Sequence, residues 1–494
     1  MYFKRMKLFW VSVTLSALVF AVLFSFRLDL FNTFFTEQHE ISVSLANPMA
    51  DRDSWMNIFQ GGRKIGFSHS TFSKKEKGYE LKETLFMRIN TMGLVQDIRL
   101  ETRGRLNDDY SLSSFDFEIE SGRFHFSAKG AVSGHTLSIK TGSSGSFGHI
   151  DIELREKLYL TTGIVDAVMA GGLLPGDRRT FQVFDPATMG QEPIMIRVID
   201  KEDIRNMGIV KRATKVSLTF KGMTQLAWIG EDGQILKEKG FLGIILEKTT
   251  RDDALFGLPV QSSQDLTRIA SIPSNVIMDD VGQLKRLKVE IGGIKSDDLF
   301  LDGGRQTFRD KLLSIRKESL SELPTVLDLK EVQETAREFI APSPFIQSDH
   351  PIIRNLAEKI VSENDAPVKK AQKLIEWIHK NIEKRPVLSL PDALSTLENR
   401  VGDCNEHAVL LAALARATGI PAKVEAGLVY LKGRFYYHAW NLLYLGRWIT
   451  ADSLFRQMPA DVTHIRFSGG TQKQQLDLMS IIGKVELKII EQSK

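Results

Sequence analysis

The chain of 494 residues holds one cysteine, and its setting invites chemistry. Cys404 lies in Gly402-Asp403-Cys404-Asn405-Glu406-His407, ahead of the apolar run Ala408 to Ala417. Asp403 followed by Glu406 has capping-box spacing, in which each side chain satisfies an orphan backbone N–H at a helix start. That places Cys404 in a first helical turn, where the positive end of the helix dipole favours a thiolate. Ala408, Leu411 and Ala415 continue one face, so the helix is expected to be mostly buried with only the thiol tip open. Attack by sulfur on an acyl carbon needs a base for the thiol proton, and the base needs an acceptor to fix its tautomer. His438, in the aromatic strand-like run Phe435-Tyr436-Tyr437-His438-Ala439-Trp440-Asn441-Leu442, supplies a candidate base. Asp452, in Trp448-Ile449-Thr450-Ala451-Asp452-Ser453, supplies a candidate acceptor, and Tyr444 to Trp448 reads as the tight turn between the two strands.

Each residue also has a plainer reading. A lone cysteine in an apolar helix is usually a small core residue, His438 a strand histidine, and Asp452 a turn residue. His407, one turn after Cys404, is a rival base within the helix. Helix-start Cys, strand His and next-strand Asp in this order favour the catalytic reading.

Gly402-Asp403-Cys404, Ala415-Arg416-Ala417-Thr418-Gly419-Ile420-Pro421-Ala422, Tyr437-His438-Ala439-Trp440 and Trp448-Ile449-Thr450-Ala451-Asp452 together resemble the transglutaminase-like superfamily over roughly Asp349 to Phe467. The resemblance implies a papain-like core with Cys404 as nucleophile, His438 as base and Asp452 as the orienting acid. It departs from the common pattern at Asn441-Leu442, where many members carry a hydrophobic-acidic pair, and at Asp452-Ser453-Leu454, where Asp-Pro-Thr is commoner. Trp440, Asp403 and Gln457 are candidate substrate or subsite residues. No metal and no cofactor are expected.

The remaining elements must carry and place this module. Lys4, Arg5 and Lys7 precede Leu8 to Phe26, an uncharged run just long enough for a hydrocarbon core of about 30 Å. The reading is a single N-terminal transmembrane helix within residues 1–33, with a cytoplasmic N-terminus and an extracytoplasmic bulk, periplasmic in a Gram-negative cell; a cleaved signal peptide is the competitor. A tether over Phe34 to Ala50 leads to a β-rich antiparallel domain over 51–260. There Phe115 to Glu120 alternates strictly before a Ser121-Gly122 turn. Residues 262–321 form a small β-containing unit around the alternating Leu284 to Ile291, and 322–494 hold a connector and the catalytic domain. The fold class expected is thus α+β. Histidines 69, 125, 135 and 149 lack metal-ligand spacing.

A net charge of +4 makes no case for nucleic acid. A single cysteine excludes a disulfide framework within the chain. Taken together the expectation is a membrane-anchored thiol enzyme that acts on a protein or peptide substrate by hydrolysis or by acyl transfer to an amine. The alternative is a catalytically silent scaffold that engages a cell-envelope protein partner.

Overall fold

In the computed structural model, residues 51–494 are described except 123, 144–145, 171–173, 187–188, 221, 258–264, 295–298, 388–390 and 470–480. The expected N-terminal span and tether, residues 1–50, lie outside the described residues.

Period-two alternation becomes strand throughout the first half of the described chain. In Leu112–Ser121, Phe115 and Phe117 are buried while Glu118 is exposed. Gly122 turns the chain at a φ of 60°, and Phe124 returns opposite Ser121. Fifteen strands join in one sheet. Eight, from Arg52–Gln60 to Ser146–Glu153, form an antiparallel meander, and six more, from Arg178–Asp185 to Ile244–Thr249, form a second. The last strand pairs with the first, from Trp55 opposite Thr249 to Gln60 opposite Ile244, which fuses the two meanders. The short strand Leu158–Leu160 adds in parallel to Arg178–Asp185. Each strand twists right-handedly against its neighbour, so a sheet of this width curls.

The expected α+β class is therefore corrected. The described residues are mostly β, with 51% in strands against 19% in helices. The physical reason is continuity: the β-rich segments do not form a modest layer beside helices but one fused sheet, and the C-terminal part adds a five-stranded, a four-stranded and a two-stranded sheet. No helix among the described residues is long and apolar enough to cross a membrane.

The C-terminal core is built around the helix Cys404–Ala417. Leu410 to Ala415 are wholly buried along it, each leucine stabilising the fold by about 1.5–3 kcal/mol relative to exposure. It packs on the helices Pro351–Ile360, Pro367–Asn381 and Ala393–Asn399, and on the strands Ala422–Leu431 and Arg434–Tyr444. Those strands belong to a five-stranded sheet with Ile272–Pro273, Ile465–Gly469 and Trp448–Ala451. The predicted tight turn is present: Gly446 has a φ of 93°, and Leu445 N–H donates to Arg447 O at 2.9 Å. A second, four-stranded sheet joins Gln306–Arg309, Leu312–Arg316 and Arg286–Gly292 to the C-terminal strand Glu486–Ser493. Its Leu287, Val289 and Ile291 share one core with Leu411 and Ile449.

The curled sheet meets this core directly. At the tip of the hairpin Tyr79–Thr91 and Leu94–Leu106, the Met92 and Gly93 N–H groups donate to the Asp265 carboxylate at 3.2 and 3.1 Å. Gln96 Nε2 donates to Pro386 O at 3.0 Å.

Candidate active site

Local sequence fixes where Cys404 sits. Asp403 is the N-cap: its Oδ1 accepts from Asn405 N–H at 2.9 Å, and Asp403 N–H donates to Glu406 Oε2 at 3.0 Å, completing the capping box. Gly402 is required at close quarters, because a Cβ there would come within 2.3 Å of Glu406 Cβ. Asn441 then ties the cysteine helix to the histidine strand, donating from Nδ2 to Ala408 O at 2.9 Å and to Lys423 O at 3.3 Å. The departure from the usual motif at this position thus fixes the helix against the strand.

Cys404 and His438 line one cavity of about 430 Å³, together with Asp403, Tyr436, Tyr437 and Phe455. Cys404 is half-buried, and its sulfur is hydrogen-bonded by the backbone of Ala439, the residue after His438. His438 is buried, with Nε2 at 2.7 Å from Asp452 Oδ2 and its ring stacked on Phe455 at 4.9 Å. Nε2–H donates to the carboxylate, which leaves Nδ1 as the nitrogen with a free lone pair. Asp452 is held on every side. Oδ1 accepts from Phe455 N–H at 2.9 Å, and its backbone exchanges two 2.8 Å hydrogen bonds with Gln457.

Asp452 has a further partner whose role the sequence did not disclose. His464, wholly buried, places Nε2 at 3.0 Å from Asp452 Oδ2 and Nδ1 at 3.3 Å from Asp461 Oδ1. Burial opposes its charge, but the hydrogen bonds to Asp452 and Asp461 and their charges outweigh it, and the imidazolium is pushed up to about 9. Burial likewise works against the Asp452 carboxylate; the charge and hydrogen bond of His438, followed by those of His464, hold it far below the usual range. Asp461 is also held low against burial, by His464 first and then by Thr463 and Gln457. Asp461 offsets the charge of His464, so the negative charge of Asp452 remains for His438.

The loop that carries His464 is clamped by Arg305. This buried guanidinium donates to Glu318 Oε2, Thr450 Oγ1 and the carbonyls of Ala460, Asp461 and His464 at 2.7–3.1 Å. Gly427 admits the strand that follows, since a Cβ there would lie 1.9 Å from Ile465 O.

The electrostatics at sulfur differ from the helix-start expectation. Burial, then the charge of Asp403, push the thiol well above its ordinary range, with smaller contributions from Glu406 and Asp452 against the Ala439 hydrogen bond. The helix-start expectation fails because the sulfur is buried and because the N-cap that builds the helix places a carboxyl beside it. Glu406, buried and hydrogen-bonded to Asp403, is also pushed up, by burial first and then by Asp403.

The other expected residues divide. Asp403 lines the cavity. Trp440 is in the core, donating from Nε1 to Glu425 Oε2 at 3.1 Å and edge-on to His464 at 5.2 Å. Gln457 turns inward and bonds Asp461 at 3.0 and 2.9 Å. His407, the rival base, is buried with Nδ1 at 2.7 Å from Asp403 O, and burial lowers it to about 4. His379 reaches the carbonyls of Ser453 and Leu454 at 3.2 and 3.1 Å and so braces the loop after Asp452. The donor atoms of His438, Asp452 and His464 lie within 4.8 Å of one another, close enough to hold a metal ion. Coordination there would require both imidazoles to give up the N–H protons that Asp452 Oδ2 now accepts.

The chain is similar to several known proteins over part of its length. An uncharacterised protein of Haemophilus influenzae is 31% identical over 106 residues, covering 20% of this chain and 28% of that protein's length. A candidate cysteine protease from Cytophaga hutchinsonii is similar in structure at 18% identity, with a TM-score of 0.27 over 43% of this chain and 86% of the other. The periplasmic domain of TgpA from Pseudomonas aeruginosa, solved with ethylmercury bound, gives 16% identity and a TM-score of 0.25 over 38% and 89%. A β-barrel-like protein from Brucella abortus gives 9% identity and a TM-score of 0.33 over 41% and 98%. Residues 354–453, which hold Cys404, His438 and Asp452, match the family model of the transglutaminase-like superfamily, and the chain carries a domain of that superfamily there.

Proposed function

We propose that this protein is a thiol enzyme acting on amide or peptide bonds through Cys404, His438 and Asp452. The observation that carries the proposal is one cavity wall holding the cysteine and a histidine whose Nε2 lies 2.7 Å from a buried carboxylate. The thiol is neutral at rest, so His438 Nδ1 takes its proton as the sulfur attacks the carbonyl carbon. Asp452 stabilises the imidazolium that forms, and the backbone N–H at the Cys404 helix start supports the oxyanion. Collapse breaks the C–N bond; the amine leaves with the proton from His438, and a thioester remains on Cys404. Water or a second amine then attacks that thioester, giving hydrolysis or cross-linking.

The positive flank and uncharged run at Lys4 to Phe26 support a site of action outside the cytoplasm. Fusion of a reporter active only after export, placed at the C-terminus, tests this; an inactive reporter overturns it. The enzymatic reading is tested by incubating the full chain with peptide amides and measuring the intact mass. A thioester adduct on wild-type protein, absent in Cys404→Ala and trapped by hydroxylamine, is the expected result. Absence of any adduct across a broad peptide set would leave the second reading, a silent scaffold that binds a cell-envelope protein. The raised thiol favours that second reading, and the two part company on whether His438→Ala slows alkylation of Cys404.

A further inference from the structure

The curled sheet encloses a second cavity, of about 400 Å³, that the C-terminal chemistry does not use. Its wall follows the strand period. Arg52, Ser54 and Met56 on one strand, Ser68, Ser70 and Phe72 on the next, and Leu81 and Glu83 on the third all lie two residues apart, so each set faces the same side of the sheet. Ile194, Leu218, Gln225 and Glu238 come from the other meander, and Thr162 and Ile164 from the segment between the two. The curl therefore turns one face of the sheet into an interior.

The interior mixes apolar side chains with polar ones, and its charged groups are unevenly matched. Three carboxyl residues, Glu83, Asp185 and Glu238, line it against one cation, Arg52. Arg52 is engaged at the edge, donating to Gly233 O at 3.0 Å and lying 5.1 Å from the Phe72 ring centroid. Glu238 accepts from Gln225 Nε2 at 2.7 Å, and Glu83 from Ser68 Oγ at 3.4 Å, which leaves both carboxyls short of the partners a carboxylate takes. Two more lining atoms, Ser54 Oγ and Thr162 Oγ1, are buried with no hydrogen-bond partner in the protein. Native interiors satisfy such groups, and a wall that does not is built for a guest that will.

We propose that the sheet domain binds a cationic amphiphile, its apolar body against Met56, Phe72, Leu218 and Leu246 and its ammonium between Glu83 and Glu238. An acid of the same shape would meet the two carboxyls, and a neutral alcohol would leave them unpaired. The two acids already work against each other: burial, then the charge of Glu83, push Glu238 up to about 7. A bound ammonium replaces the proton that Glu238 otherwise retains, so binding at slightly acidic pH releases that proton to solvent.

Calorimetric titration of the full chain with octylamine, octanol and octanoate tests the proposal, run at pH 6.5 in two buffers of different ionisation enthalpy. Octylamine is expected to bind best and to release a proton. Glu238→Gln is expected to weaken octylamine by roughly 10- to 100-fold, the range for loss of one charge-assisted hydrogen bond, and to abolish the proton release while sparing octanol. Glu83→Gln carries the same expectation should Glu238→Gln fail to melt cooperatively. Equal binding of all three probes, no binding of octylamine, or octylamine affinity unchanged in both variants would each overturn the proposal. Since these readouts do not involve Cys404, they stand or fall apart from the enzymatic reading.

Discussion

Replacing His464 by Gln should change how stability depends on pH, in a window set by the structure. The imidazole goes from an ordinary value near 6.5 when unfolded to about 9 in the fold. Between these values the native state holds one proton that the unfolded chain has lost. Stability therefore falls as pH rises, by about 1.4 kcal/mol per pH unit at most. The contribution is fully present below pH 6.5 and gone above about 9, which amounts to roughly 3 kcal/mol for the wild type. His464 is wholly buried, so solvent screening does not reduce it. Other shifted groups, such as Glu238 pushed up to about 7 and His407 lowered to about 4, are present in both proteins, so the difference between variant and wild type isolates His464. Denaturant unfolding at pH 6.5, 7.5, 8.5 and 9.5, wild type beside His464→Gln, measures the effect. The variant should be less stable by about 3 kcal/mol at pH 6.5 and converge on the wild type near pH 9.5. Parallel curves, offset by a constant amount, would show that His464 is neutral in the fold and refute the charge assignment at Asp452.

Three further outcomes follow from the same geometry. Alkylation of Cys404 by iodoacetamide should rise only above the ordinary thiol range near 8.5, because burial and Asp403 push the thiol up; Asp403→Asn, whose amide oxygen can still cap Asn405, should move the profile to lower pH, and an unmoved profile would exclude Asp403 as a cause. Proton transfer from a neutral thiol to His438 predicts a normal solvent deuterium isotope effect on acylation, whereas a preformed thiolate–imidazolium pair predicts none. Arg305→Met should cost about 3–5 kcal/mol in unfolding experiments, since it leaves the buried Glu318 unpaired and releases the His464 loop; a loss below 1 kcal/mol, within the usual scatter for an exposed pair, would show that the clamp is dispensable.

What could be read from sequence was what is encoded within a few residues. The capping box, the buried face of the Cys404 helix and the turn at Gly446 each depend on neighbours along the chain. The placement of His464 does not. It rests on the pairing of Gly427 with Arg466 beyond a register shift, on a glycine that admits the Ile465 backbone, and on Arg305 some 150 positions earlier in the chain. Trp440 misled for a related reason. It shares the strand face of His438, but two residues further along, about 7 Å deeper, where His464 and Glu425 cover it. The class of the fold was missed because alternation reveals strands but not that two meanders fuse through their first and last members.

The thiol and the histidine cluster have to be considered together. A cysteine held neutral by burial and an adjacent aspartate is poorly set for attack, yet a thiol of raised pKa yields a more nucleophilic sulfur once its proton departs. The difficulty is removing that proton in a half-buried site already rich in anions. Asp452 alone would meet it by stabilising imidazolium on His438, but an unpaired buried carboxylate would itself be costly. His464 supplies the hydrogen bond and positive charge that keep Asp452 ionised, and Asp461 offsets that positive charge in turn. With His438 neutral, the four residues carry a net charge of one negative; when His438 takes the thiol proton, the cluster becomes neutral. On the proposed enzymatic reading, the site would favour the charge distribution of the attacking state over that of the resting state. That is the differential stabilisation catalysis requires, and a helix dipole acting on the cysteine alone would not provide it.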